Sequence, residues 1–142
     1  MALKYDYTPR MGPTGIEYDP FVDVVFTNPS NGLSVEIRCL IDSGAGGIIL
    51  SAEFAELLGL DLKRGDEHLY QGIAHDPVSA YDHELMIRLK EDRHAFRVVC
   101  SLMPGLKASG LLGQRGFFDH YKVVFERAKK RIELTPLSSS TT

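Results

Sequence analysis

Between Leu33 and Ile41 apolar and polar residues alternate, and the run ends on a carboxylate, Asp42, followed at once by Ser43 and Gly44. Leu33, Val35, Ile37, Cys39 and Ile41 share one face, and Ser34, Glu36 and Arg38 share the other. A period of two predicts a β-strand with one buried face. Asp42 is delivered to the strand's end, on the face opposite Ile41. Ala45, Gly46 and Gly47 then lead into a second apolar run, Ile48 to Leu50. A carboxylate held by rigid neighbours in apolar surroundings can have its proton affinity tuned. The tripeptide Asp-Ser-Gly occurs once in the chain. By itself it is also a common turn sequence.

The rest of the chain reads mostly as strand. Phe21 to Thr27 places Val22, Val24 and Phe26 on one face, and the turn Asn28-Pro29-Ser30-Asn31-Gly32 joins it to the Asp42 strand as a hairpin. Ser51 to Gly59 predicts a short helix capped by Ser51, ended by Gly59 and buried through Phe54, Leu57 and Leu58. Leu69 to Ile73 and Val78 to Tyr81 flank a turn near His75-Asp76-Pro77, which predicts a projecting hairpin. Glu84 to Leu89 and Ala95 to Ser101 predict another. Leu111 and Leu112 stand between Gly110 and Gly113, with one helical turn expected over Phe117 to Tyr121. Lys122 to Glu126 and Arg131 to Leu134 complete a set of about nine strands and at most two short helices. Residues 1–19, punctuated by Pro9, Gly12, Pro13 and Gly15, are expected to form an arm with little structure of its own. The globular unit is expected over 20–135, with a loose tail over 136–142.

With 142 residues, 44% of them hydrophobic, the chain can bury the core of one domain. A net charge of -3 gives no electrostatic case for nucleic acid or an anionic membrane as partner. No apolar run approaches the roughly 20 residues of a membrane span. Two cysteines are too few for a disulfide framework. A cytoplasmic protein is the expectation. His68, His75, His83, His94 and His120 lack metal-ligand spacing, so no metal and no cofactor are expected. Cys39 lies on the apolar face of its strand and reads as a small core hydrophobe.

Taken in order, the apolar strand, Asp42-Ser43-Gly44-Ala45, the second strand, the helix, the projecting hairpin and the later Leu111-Leu112-Gly113 resemble the retropepsin-like aspartic proteases. The resemblance covers residues 20–135. It implies an all-β fold: a small closed β-barrel with one or two short helices, assembled as a homodimer. It also implies an aspartic endopeptidase acting on peptide or protein substrates. In that family Asp42 would be the catalytic carboxylate, and Ser43, Gly44 and Ala45 the active-site loop. The hairpin over 69–81 would be a flap, bringing Tyr70, Gly72 and Ile73 to the substrate. Leu111, Leu112 and Gly113 would pack behind the active-site strand.

Peptide hydrolysis by this route needs two carboxylates, one activating water as a base and one donating to the substrate carbonyl as an acid. It is the established behaviour of aspartic proteases that like charges about 3 Å apart cannot both ionise, so the pair titrates as a unit. One Asp-Ser-Gly per chain therefore implies two chains about a twofold axis. The chain departs from the family pattern at Gly46-Gly47, at the hairpin tip with Pro77, and at Gln114-Arg115-Gly116, where the arginine is displaced in register. These departures motivate an alternative, a non-catalytic dimerisation or peptide-binding module on the same fold. A third reading is a small barrel in which Asp-Ser-Gly is only a turn.

Overall fold

The computed structural model describes residues 2–71 and 76–137. Twelve strands run through them: β1 (Leu3–Asp6), β2 (Thr8–Gly12), β3 (Gly15–Asp19), β4 (Phe21–Thr27), β5 (Ser34–Ile41), β6 (Ile48–Ser51), β7 (Asp66–Tyr70), β8 (Val78–Leu89), β9 (Phe96–Met103), β10 (Gly110–Leu112), β11 (Tyr121–Glu126) and β12 (Arg131–Pro136). A single α-helical turn, α1 (Phe54–Leu57), follows β6. The strands β4-β5-β10-β6-β9-β8 are hydrogen-bonded in that order, and β8 returns to pair with β4. The result is a closed barrel of six strands, with β7 attached outside it to β8. No helix among the described residues is long and apolar enough to cross a membrane.

Alternation on the strands builds the barrel interior. Val22, Val24 and Phe26 of β4 meet Ile37, Cys39 and Ile41 of β5, and Leu85, Ile87 and Leu89 of β8 meet Phe96, Val98 and Cys100 of β9. Fully burying each aliphatic side chain contributes roughly 1.5–3 kcal/mol. Every residue of β6 is buried, because this strand lies between β10 and β9 and is covered on both faces. That explains why Ile48 to Leu50 shows no alternation in sequence. Cys39 and Cys100 are wholly buried, and burial pushes both thiols up.

Several expectations change in detail. Residues 3–19 are structured: β1 pairs with β12, and β2 and β3 form a hairpin closed by Arg10 with Glu17 and Asp19. Leu33 is exposed, since the strand begins at Ser34. The expected helix from Ser51 shrinks to α1. Ser51 belongs to β6, although its hydroxyl still accepts the Glu53 N–H at 3.3 Å. Ala55 and Leu58 are the buried residues there, and Leu57 is exposed. The two strands expected over 78–81 and 84–89 are one continuous strand of twelve residues, β8. The first strand of the projecting hairpin, expected over 69–73, runs from Asp66 to Tyr70. Its tip, with Gly72 and Ile73, lies outside the described residues.

The helical turn expected over 117–121 comes earlier, over Gln114–Phe118, and is irregular: Arg115 is extended and Gly116 has φ of 93°. That left-handed φ suits glycine and turns Phe117 inward. Phe117 stacks on Tyr121 with ring centroids 5.1 Å apart. The buried Tyr121 hydroxyl donates to Asp92 Oδ2 at 2.7 Å, tying β11 to the turn between β8 and β9. Burial alone would raise the Asp92 pKa. Hydrogen bonds from Tyr121 and from the His94 and Arg93 N–H groups outweigh it and hold this carboxyl below its ordinary value.

Candidate active site

The barrel order brings the two motifs singled out in the sequence together. β10 lies parallel to β5, with Leu111 opposite Leu40 and Leu112 opposite Ile41, and antiparallel to β6. Asp42, one residue past β5, donates its N–H to the Leu112 carbonyl at 2.9 Å, so the carboxylate leaves the sheet where the two strands end together. The loop then turns tightly. Ala45 N–H donates to the Asp42 carbonyl at 3.1 Å, and Gly44 N–H donates to Asp42 Oδ1 at 2.9 Å. That second bond orients the carboxylate with a backbone donor.

Gly113 holds the loop from behind. A Cβ there would collide with the backbone oxygens of Ala45 and Gly47. The close approach lets Gln114 N–H reach the Ala45 carbonyl at 2.9 Å and Arg115 N–H the Gly46 carbonyl at 3.0 Å. The Gln114 side chain adds a bond from Nε2 to the Ser43 carbonyl at 2.7 Å. The loop is thus pinned along one side by residues some 70 positions later, and its carboxylate faces the open side.

That side is a cleft of about 450 Å³. Asp42, Gly44 and Ala45 form one wall, Ile49, Leu111, Met103 and Leu106 an apolar floor, and Tyr70, Gln71, Asp76 and Val78 the hairpin side. Asp42 is half-buried at the edge and Ser43 is exposed. Among the described residues the Ser43 hydroxyl makes no hydrogen bond. Tyr70 is more constrained than a freely mobile flap residue. Its hydroxyl lies 2.7 Å from Ser101 Oγ, and its ring stacks on His68 at 4.3 Å. The chain of contacts continues from Ser101 Oγ to Asp82 Oδ1 at 2.5 Å and from Asp82 Oδ2 to His68 at 3.2 Å.

Of the residues named from sequence, Asp42, Ser43, Gly44, Ala45, Leu111, Leu112 and Gly113 form one hydrogen-bonded unit, and Tyr70 faces it across the cleft. Gly72 and Ile73 lie outside the described residues. Sequence reasoning missed Gln114, Met103 and Leu106. Gln114 follows the glycine of the second motif, a position that could have marked it. Met103 reaches the cleft through the parallel pairing of β6 with β9, with Ser51 opposite it, and no local pattern signals that. No group of three His, Cys, Asp or Glu side chains among the described residues could hold a metal ion.

A family model described as aspartyl protease matches residues 26–115. No curated protein sequence matches the chain. Among solved structures, a retropepsin-like aspartic protease from Rickettsia conorii is similar over 94% of this chain and 91% of its own, with a TM-score of 0.64 at 18% identity. The retroviral protease-like domain of Ddi1 from Leishmania major is similar over 87% of this chain and 98% of its own, with a TM-score of 0.54 at 14% identity. At these identities the likeness is one of fold, and the fold is the retropepsin-like barrel.

Proposed function

Because the chain belongs to the aspartyl protease family, we propose that it is an aspartic endopeptidase whose active site is completed by a second copy of itself. The observation that carries this reading is Asp42: a single backbone-oriented carboxylate at the edge of an apolar cleft, in a chain with one Asp-Ser-Gly. Two copies of Asp42 about a twofold axis would supply the pair that the chemistry needs.

In that arrangement the ionised carboxylate takes a proton from water as the oxygen attacks the peptide carbonyl carbon. The protonated partner donates to the carbonyl oxygen. Collapse of the tetrahedral intermediate breaks the C–N bond, with a proton delivered to the leaving nitrogen. Gly44 N–H orients the carboxylate, and the Ser43 hydroxyl would bond across the twofold axis. The apolar floor of Ile49, Met103, Leu106 and Leu111 suits aliphatic or aromatic side chains of an extended peptide.

The test is Asp42→Asn. Cleavage of an unfolded protein at mildly acidic pH should fall by at least about a thousandfold, since both the base and the acid role are removed. Thermal unfolding and sedimentation should be unchanged. Retained hydrolysis would overturn the proposal. Peptide binding by a wild-type protein that shows no hydrolysis would favour a non-catalytic peptide-binding module.

A further inference from the structure

A second cavity, of about 420 Å³, adjoins the cleft beside Asp42. Tyr70 lines both, and the glycine pair after the active-site loop sits between them: Gly46 borders the cleft and Gly47 the second cavity. The second cavity has an aliphatic wall of Ile48, Val98 and Val99 and a charged rim.

Most of that rim is already engaged. Arg97 donates to Glu84 at 2.9 Å. Asp82 is held by Ser101 and His68, Asp119 accepts the Gly116 N–H at 3.0 Å, and His120 Nδ1 lies 2.9 Å from the Gly116 carbonyl. Arg115 differs. Its main chain is clamped to the loop through the Gly46 carbonyl, yet among the described residues its guanidinium makes no hydrogen bond and no ion pair. The guanidinium lies over the glycine pair. A Cβ at Gly46 would stand 3.6 Å from Nη2 and one at Gly47 3.7 Å, ordinary contact distances. Neither glycine has a positive φ, so each could carry a side chain without backbone strain, and neither does. The chain therefore places a planar fork of five donors beside its cleft and puts no side chain between them.

We propose that Arg115 is a specificity determinant: it binds the carboxylate of a Glu or Asp side chain of a peptide lying in the cleft, whose stem packs on the exposed Val99. The proposal rests on the reading of the cleft as a peptide site. The preferred peptide carries an acidic residue at one fixed position relative to the bond beside Asp42.

The probe is a set of fluorescein-labelled, C-terminally amidated decapeptides. Each is fixed as Glu, Gln or Lys at one position and randomised among uncharged residues elsewhere. Binding is read by fluorescence anisotropy in an Asp42→Asn background, so that no peptide is consumed. Glu should bind roughly two- to fivefold more tightly than Gln at one position, the range of an exposed ion pair. Arg115→Gln should abolish that preference and Arg115→Glu should shift it towards Lys. Gly46→Asp should also abolish it, by placing an internal carboxylate on the guanidinium. A Glu preference that survives Arg115→Gln, no preference at any position, or no binding of any peptide would each overturn the proposal. Hydrolysis of the same peptides by protein with Asp42 intact separates the two readings. Cleavage without acid preference overturns the role of Arg115 alone, and acid-selective binding without cleavage overturns the peptidase alone.

Discussion

Gly113 shows how much a single hydrogen atom decides. Its missing side chain is the space through which Gln114 and Arg115 reach the carbonyls of Ala45 and Gly46. Gly113→Ala would push a methyl group into two backbone oxygens that cannot move without unpinning the loop. The expected loss is about 3 kcal/mol, read as a lower denaturant midpoint at unchanged slope. Hydrolysis should fall further than stability does, because the loop that aims Asp42 is the part displaced. A smaller effect on both would show that the loop adapts. At this scale the family resemblance singled out Asp42, Gly44 and Gly113, and the fold brings Gly113 behind the Asp42 loop. The cleft floor at Met103 and Leu106 could not be named from sequence, because nothing local marks a residue brought in by parallel pairing, as Met103 is, or by the turn that follows it, as Leu106 is.

Elements were legible where one face is wet. The alternation of β4 and β5 places Val22, Val24, Phe26, Ile37 and Cys39 inward, as their period predicts. The length of β8 was hidden. Asp82 and His83 look like a break between two strands, yet they remain paired with Ser101 and Cys100. β2 and β3 were hidden by Pro9, Gly12 and Pro13, residues that mark turns but are tolerated in a two-stranded ribbon. One long-range bond, from Tyr121 to Asp92, ties the start of β11 to the turn between β8 and β9. Asp92's folded-state pKa lies below its unfolded one. Its stabilisation is therefore fully present above the ordinary carboxylate value of about 4 and is lost as pH falls through the folded value. Tyr121→Phe should cost about 1–2 kcal/mol at neutral pH. It should also make stability less steeply dependent on pH on the acid side, checked by denaturant unfolding between about pH 2 and 7. An unchanged acid-side slope would remove Tyr121 from the account.

For the whole molecule, the proposed use of one Asp42 from each chain would make activity a property of pairs. When wild-type and Asp42→Asn chains are mixed in equal amounts and allowed to exchange, one dimer in about four should carry two carboxylates, so activity per wild-type chain should halve. Activity proportional to wild-type content would mean that each chain works alone. Specific activity should also fall on dilution through the dimer dissociation constant. Closure of the barrel was not visible residue by residue, since the pairing of β4 with β8 joins strands separated by the entire first motif. The pairing of β1 with β12 spans still more of the chain: Leu3 lies opposite Leu134 and Tyr5 opposite Ile132. Contacts so distant in sequence carry a loop-closure cost before they contribute anything. The six barrel strands are all synthesised by Leu112, whereas β1, synthesised before any of them, acquires its partner β12 only when that strand has emerged. Synthesis thus completes the barrel before it completes the sheet of β1, β12 and β11.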